Sequence, residues 1–178
     1  MLYSGFTVLE RFGPSSEGWL KYLEFSKLTH LVEVVSLDAL LCPCVVHDLR
    51  DEVWSHFVPE IVSVSAFDDV AWLVMRHPVQ PGEQLLKVVQ DPDRDVGAVE
   101  LGRGWAFAGY DLIEHDGNIS ALTNCGGFDG AFTAADLNER GLITKYEDAK
   151  RIHEALRVRY PEEPHANCVL VAIWRGLT

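Results

Sequence analysis

The sequence predicts an α+β fold, with residues 1–178 forming a single compact domain. We expect a mixed or mostly antiparallel sheet and a C-terminal helix–strand unit. A helical pattern near the C-terminus runs into an apolar β-type segment, and a turn signal separates two earlier β-type segments. The other helix signals are scattered and do not alternate regularly with strands, which favours α+β over a repeated βαβ arrangement. A length of 178 residues suits one ordinary domain.

Helix signals occur at five places along the chain. In order, they follow Ser15-Ser16-Glu17, surround Asp48 to Phe57, and cover Phe67 to His77, Thr133 to Arg140 and Lys145 to Tyr160. The last is the clearest, because apolar residues recur at helical spacing from Tyr146 to Leu156. Thr144 and Glu147 have the spacing of a capping box, and Pro161 ends the pattern.

Strand signals are short runs rich in β-branched and aromatic residues. In chain order, they cover Leu31 to Val35, Ile61 to Ser65, Leu85 to Val89, Trp105 to Ile113, Ile119 to Thr123 and Val169 to Trp174. Asp116-Gly117-Asn118 separates the fourth run from the fifth. This turn signal predicts that those two runs pair as a hairpin.

The charge balance narrows the classes of partner. The chain has 27 acidic and 15 basic residues, a formal net charge of −12, with no basic half and no acidic tail. Phosphate backbones and anionic membranes need clusters of Lys and Arg, so we expect neither nucleic acid nor membrane binding. The start of the chain lacks the pattern of a signal peptide, which predicts a cytoplasmic protein whose cysteines stay reduced. The sequence does not indicate an oligomeric state.

A candidate nucleophile lies in the most polar stretch of the sequence. Cys125 follows Asn124 and precedes Gly126-Gly127, at the end of a predicted strand and ahead of the Thr133 helix. Helix N-terminal amides lower a thiol pKa, and His165 could then serve as base with Asn124 or Asn167 as its orienting group. The alternative is that Cys125 packs as a small apolar residue and that the glycines only form a turn.

Two other clusters resemble metal sites incompletely. Cys42, Cys44 and His47 are close in sequence, but the C-x-C spacing and the lack of a second pair do not match a zinc site. The Asp91-x-Asp93-x-Asp95 stretch imitates a calcium loop, yet Val96 and Gly102 stand where that loop needs Gly and Glu. Phosphate-binding and dinucleotide motifs are absent from the sequence. We therefore expect neither a metal nor a cofactor.

The leading hypothesis is a small acidic protein that binds a macromolecular partner, a basic protein, in the manner of an inhibitor or immunity protein. Such proteins need a rigid surface with acidic residues and an aromatic anchor. Asp48, Asp51, Glu52 and Trp54 supply that combination in one short stretch. The rival hypothesis is a cysteine-dependent enzyme that uses Cys125 with His165.

Overall fold

The computed structural model describes residues 2–35, 58–62, 79–98, 104–114, 120–123, 130–163 and 166–177. Within these ranges the chain forms five strands and two α-helices, with one short 3-10 helix at Ala134–Asp136. In chain order the elements are β1 (Leu2–Glu10), α1 (Trp19–Ser26), β2 (Val58–Val62), β3 (Glu83–Gln90), β4 (Trp105–Glu114), α2 (Tyr146–Arg159) and β5 (Cys168–Gly176). The α+β class and the C-terminal helix–strand unit are thus confirmed.

The five strands form one antiparallel sheet in the order β2-β1-β3-β5-β4. Strand β5 therefore lies between β3 and β4: Val88 of β3 pairs with Ile173, which pairs with Gly109 of β4. The ladder between β4 and β5 shifts register between Phe107 and Gly109, where β4 carries a bulge.

Apolar side chains cover both faces of this sheet. On one face, Tyr110, Leu112 and Trp174 pack in the main core with the inner side of α2, including Ile152 and Leu156. Helix α1 joins the same core through Trp19 and Tyr22, both of which contact the ring of Phe12 edge-on. The opposite face holds a second buried cluster, made of Val35, Leu86, Val88, Ile113, Leu142, Val171 and Ile173.

Helix α2 matches its prediction in extent and in its buried face. It runs over Tyr146–Arg159 and buries Tyr146, Ala149, Ile152 and Leu156, because these side chains recur at the helical period. The predicted capping box is wrong, since the N-cap is Lys145 and no side chain caps the helix there. The helix expected after Ser15-Ser16-Glu17 is also present, as α1.

The prediction of a helix from Thr133 to Arg140 is wrong, because only Ala134–Asp136 is helical. Asn138 explains why the helix stops. Its side-chain oxygen accepts the amide N–H groups of Arg140 and Leu142, at 2.9 and 3.2 Å, and its backbone N–H bonds to the Leu142 carbonyl. These bonds turn the chain back, as Asn side chains often do.

The predicted hairpin between residues 105–113 and 119–123 is present only as one antiparallel bridge. Strand β4 pairs with β5 along its length, and residues 120–123 form a turn with a single bridge from Ser120 to Ile113. The Ser120 hydroxyl donates to the buried Asp111 carboxylate at 2.7 Å and accepts the N–H groups of Leu122 and Thr123. Those local bonds favour a turn over an extended strand.

The strand predicted from Leu31 to Val35 does not form. Val34 makes one isolated bridge to Phe12, and the N–H groups of Val32 and Val35 bond to the carbonyls of Glu139 and Arg140. The predicted strand at Ile61 to Ser65 overlaps β2 only at residues 61–62, and the rest lies outside the described residues, as do the helices predicted at Asp48 to Phe57 and Phe67 to His77. Neither helix of the described segments has the length and apolar character needed to cross a membrane.

Candidate functional site

The residues that the sequence singles out for function lie outside the described residues. This is so for the possible catalytic group of Asn124, Cys125 and His165, and for the partner surface of Asp48, Asp51, Glu52 and Trp54. It is also so for Cys42, Cys44 and His47. These predictions stay predictions. The described residues offer a different candidate, the loop that follows β3.

We call residues 91–97 the acidic loop. It begins where β3 ends, with Asp91 in the left-handed region at φ +43° and its N–H bonded to the Leu170 carbonyl at 2.7 Å. Asp91, Asp93 and Asp95 are all exposed, and Arg94 offsets one of their charges. The carboxylates of Asp91 and Asp93 make no hydrogen bond or ion pair with any other described residue. They are therefore available to a cationic partner.

Two tyrosines of the main core form hydrogen bonds with the acidic loop through their hydroxyl groups. The hydroxyl of Tyr110, on β4, donates to the Asp95 carboxylate at 2.5 Å and accepts the N–H groups of Val96 and Gly97, each at 3.1 Å. The hydroxyl of Tyr146, at the start of α2, donates to the Pro92 carbonyl at 2.8 Å. The loop is thus tied to both the sheet and the helix, which limits its conformational freedom.

The two tyrosine rings belong to a row of aromatic contacts across the main core. Ring centroids lie 5.2 Å apart for Trp174 and Phe107, 5.1 Å for Phe107 and Tyr110, and 5.7 Å for Tyr110 and Tyr146. Gly97 fits directly on Phe107, since a Cβ at that position would come within 2.6 Å of the ring. The loop therefore sits on a packed support.

The electrostatics around the tyrosines reflect this negative surface. Burial raises the pKa of Tyr110, and its hydrogen bond to Asp95 raises it further. Burial also raises the pKa of Tyr146, with added contributions from Glu147, Asp93 and Asp95. Both hydroxyls therefore stay protonated as donors at neutral pH. Glu147, the residue after Tyr146 at the start of α2, is exposed and adds a further carboxylate near this tyrosine.

The acidic loop has neither the ligand arrangement of a metal site nor a nucleophile. Among the described residues, no three His, Cys, Asp or Glu side chains converge in a way that could hold a metal ion. What the loop can do is bind lysine or arginine side chains. The sequence shows the three aspartates, but their anchoring by Tyr110 and Tyr146 leaves no sequence signal, because the anchors lie 15 and 54 residues from their loop partners.

Cys168, at the start of β5, is the one cysteine in the described part of the chain, and it is buried. Burial raises the pKa of its thiol to about 12, and the carboxylates of Glu114 and Asp111 also raise it. The neighbouring His153 bonds to the backbone of Cys168: its Nε2 lies 2.9 Å from the Cys168 carbonyl oxygen and is the donor there, because a carbonyl only accepts. Cys168 is a packing residue, since it stays protonated at neutral pH.

Comparison with known proteins gives no further guidance on the site. The chain matches no protein-family model, no curated protein and no solved structure.

Proposed function

We propose that the protein acts in the cytoplasm by binding a basic protein partner, as inhibitor or immunity proteins do, and that the acidic loop forms part of the contact surface. The observation that carries the proposal is the rigid presentation of Asp91 and Asp93 on a loop fixed by Tyr110 and Tyr146. Carboxylates held in place before binding lose less conformational entropy when a partner arrives.

The charge of the whole chain supports the same proposal. A net charge of −12 attracts a basic protein over a distance comparable to the Debye length and raises the rate of encounter. Exposed carboxylates then fix the register of the two surfaces more than they add affinity. Asp48, Asp51, Glu52 and Trp54 remain the sequence-based candidates for a second part of this surface.

The proposal can be tested with a short peptide rich in lysine and arginine, titrated into the full chain labelled with ¹⁵N. We expect saturable amide shifts at residues 91–97 and near Glu147. The double variant Asp91→Asn, Asp93→Asn should weaken binding about threefold to tenfold, because exposed ion pairs contribute about 0.2–1 kcal/mol each. Asn is chosen because it tolerates the left-handed backbone at Asp91.

The matched control is Glu162→Gln with Glu163→Gln, two exposed acids in another part of the chain. Both double variants change the net charge from −12 to −10, since each removes two negative charges. If the two variants lose the same affinity, the peptide responds only to net charge and the acidic loop is not a binding surface. Asp48→Asn with Asp51→Asn, measured in the same way, tests the surface predicted from the sequence.

The alternative proposal is a cysteine-dependent enzyme that uses Cys125 with His165 and Asn124. The pH dependence of alkylation at Cys125 in the native protein tests it. A thiol pKa well below the ordinary range of about 8–9, raised again by His165→Ala, would support catalysis. A Cys125 that reacts only after unfolding would exclude it.

A further inference from the structure

A second polar feature lies away from the acidic loop, where β4 begins and β5 ends. It is a cleft of about 260 Å³, which we call the arginine cleft. Its wall consists of Arg11, Arg140, Arg175, Ala106, Phe107, Ala108, Gly176 and Leu177. Among the residues that the structure describes, three cationic side chains and no acidic one line it, in a chain where acidic residues outnumber basic ones by 27 to 15.

The fold brings the three arginines together from distant parts of the sequence. Arg175, near the end of β5, pairs in register with Leu86 of β3 and Ala106 of β4. Arg11 directly follows β1, and its backbone N–H bonds to the Gly82 carbonyl at 2.7 Å. Arg140 is placed by its backbone carbonyl, which accepts the Val35 N–H. Each guanidinium is therefore attached to a hydrogen-bonded backbone position.

Two of the three arginines already bind a carboxylate of the protein itself, that of Glu33. One oxygen of Glu33 accepts a hydrogen bond from Arg175 Nη1 at 2.6 Å and another from Arg140 Nε at 3.1 Å. Arg140 also contacts Glu139 at 2.7 Å. Each guanidinium has five N–H donors, so these contacts leave most of the donors unused. Arg11 has no side-chain hydrogen bond or ion pair to the rest of the described chain.

The positive charge in the cleft is only partly balanced. Glu33 and Glu139 offset two of the three guanidinium charges. Burial lowers the pKa of Arg175; Glu33 raises it, whereas Arg11 and Arg140 lower it further through repulsion. An anion placed among the arginines would relieve that repulsion, and Arg175 has only 17% of its side chain exposed, so the interaction would be weakly screened.

We propose that the arginine cleft binds a small organic oxyanion, a carboxylate or a phosphate monoester with a short apolar body. The anionic group would accept hydrogen bonds from Arg11 and from the unused donors of Arg140 and Arg175. The apolar body would lie against Ala106, Ala108 and Phe107. The volume is just below the usual range for drug-sized ligands, which fits a small metabolite. This proposal does not depend on the acidic loop or on a protein partner.

The test uses benzoate as a carboxylate probe and phenyl phosphate as a phosphate probe, each titrated into the full chain and followed by calorimetry and amide shifts. We expect saturable binding of at least one probe, with shifts at residues 106–108 and 175–177. Arg11→Gln and Arg175→Gln should each weaken it about tenfold or more, the usual effect of losing a charged hydrogen bond. Arg157→Gln, an exposed arginine on α2, removes the same charge elsewhere and should leave the affinity unchanged.

Because Arg175 is largely buried, its variant can fail to fold, and the exposed Arg11 then decides the question. Glu33→Gln adds an independent readout. It removes a competing negative charge, so probe binding should become tighter by about threefold or more. The proposal is overturned if neither probe saturates, if Arg157→Gln weakens binding as much as Arg11→Gln does, or if Glu33→Gln weakens it. Binding of one probe alone identifies whether the site prefers carboxylate or phosphate.

Discussion

Among single residues, Tyr110 is notable because its one hydroxyl group takes part in three hydrogen bonds. It donates one hydrogen bond and accepts two, and all three partners lie in the acidic loop. Tyr146 makes only one such bond, to Pro92. Because loss of the Tyr110 hydroxyl removes three hydrogen bonds, against one for Tyr146, the two tyrosines should contribute unequally.

Replacement of Tyr110 by Phe removes the three bonds and leaves the buried N–H of Val96 without its acceptor. We expect the free energy of unfolding in urea to fall by about 2–3 kcal/mol, against about 1 kcal/mol for Tyr146→Phe. Hydrogen exchange at Val96 and Gly97 should accelerate only in the Tyr110 variant. Equal losses in the two variants would show that the hydroxyl of Tyr110 does not organise the loop.

Cys168 gives the protein a pH dependence in the alkaline range. Its thiol pKa is raised from an ordinary value of 9.0 to about 12. Below pH 9 the thiol is protonated in both states and its contribution to stability is complete. Between these values the unfolded chain releases a proton that the folded protein keeps, so stability falls as pH rises.

The measurement is the free energy of unfolding at pH 8, 9 and 10 for the wild type and for Cys168→Ala. The wild type should lose stability relative to the variant, at a slope approaching about 1.4 kcal/mol per pH unit above pH 9. Burial also raises the pKa values of Tyr110 and Tyr146, but both proteins carry these tyrosines, so their effect cancels in the comparison of the wild type with the variant. Parallel profiles for the two proteins would contradict the assignment.

At the scale of elements, the bulge in β4 depends on Gly109. Its φ is +145°, and a Cβ there would lie 2.6 Å from the Leu142 Cβ and 2.9 Å from the Ile143 carbonyl oxygen. The absence of a side chain lets residues 142–143 approach the strand, where Ile143 and Tyr110 exchange backbone hydrogen bonds of 2.8 and 2.9 Å. A larger residue would separate the segment from the sheet.

Gly82 provides a comparison for Gly109, because it also has a positive φ, +94°, but nothing lies within 4 Å of its hypothetical Cβ. Gly82→Ala should therefore cost only the backbone strain, about 1–2 kcal/mol. Gly109→Ala adds overlap with fixed backbone and should cost about 3 kcal/mol or more. Thermal unfolding of both variants separates the cost of backbone strain from the cost of steric overlap. A similar cost for the two variants would mean that residues 142–143 move aside freely.

The same scale shows what the sequence could predict. Helix α2 follows from its helical periodicity. Strands β3, β4 and β5 follow from runs of β-branched and aromatic residues, which are buried almost continuously because apolar side chains cover both faces of the sheet. Pairing followed only in part. The turn residues after Ile113 predicted a hairpin, and one antiparallel bridge forms there between Ile113 and Ser120, but the long partner of β4 is β5. Strand β1 was not predicted, and its pairing partners in β2 and β3 lie 52 to 87 residues away in the chain.

At the scale of the whole molecule, the net charge conceals an uneven distribution. The acidic loop can be found in the sequence as three closely spaced aspartates, although not its anchoring. The arginine cleft cannot, since Arg11, Arg140 and Arg175 are isolated residues in the sequence that only the sheet brings to one place. The two proposals therefore concern opposite charges in one protein. Raising the ionic strength should weaken peptide binding at the exposed loop more than probe binding at the partly buried cleft.

The position of β5 affects how the protein is made. It is the last of the five strands in the chain, yet it joins β3 to β4. During translation both neighbours are synthesised before the strand that connects them, so the edges of β3 and β4 that face β5 stay unpaired until about residue 168 has been made. The sheet is completed only in a late step, and a chain that stalls before it exposes these additional strand edges, which favour aggregation.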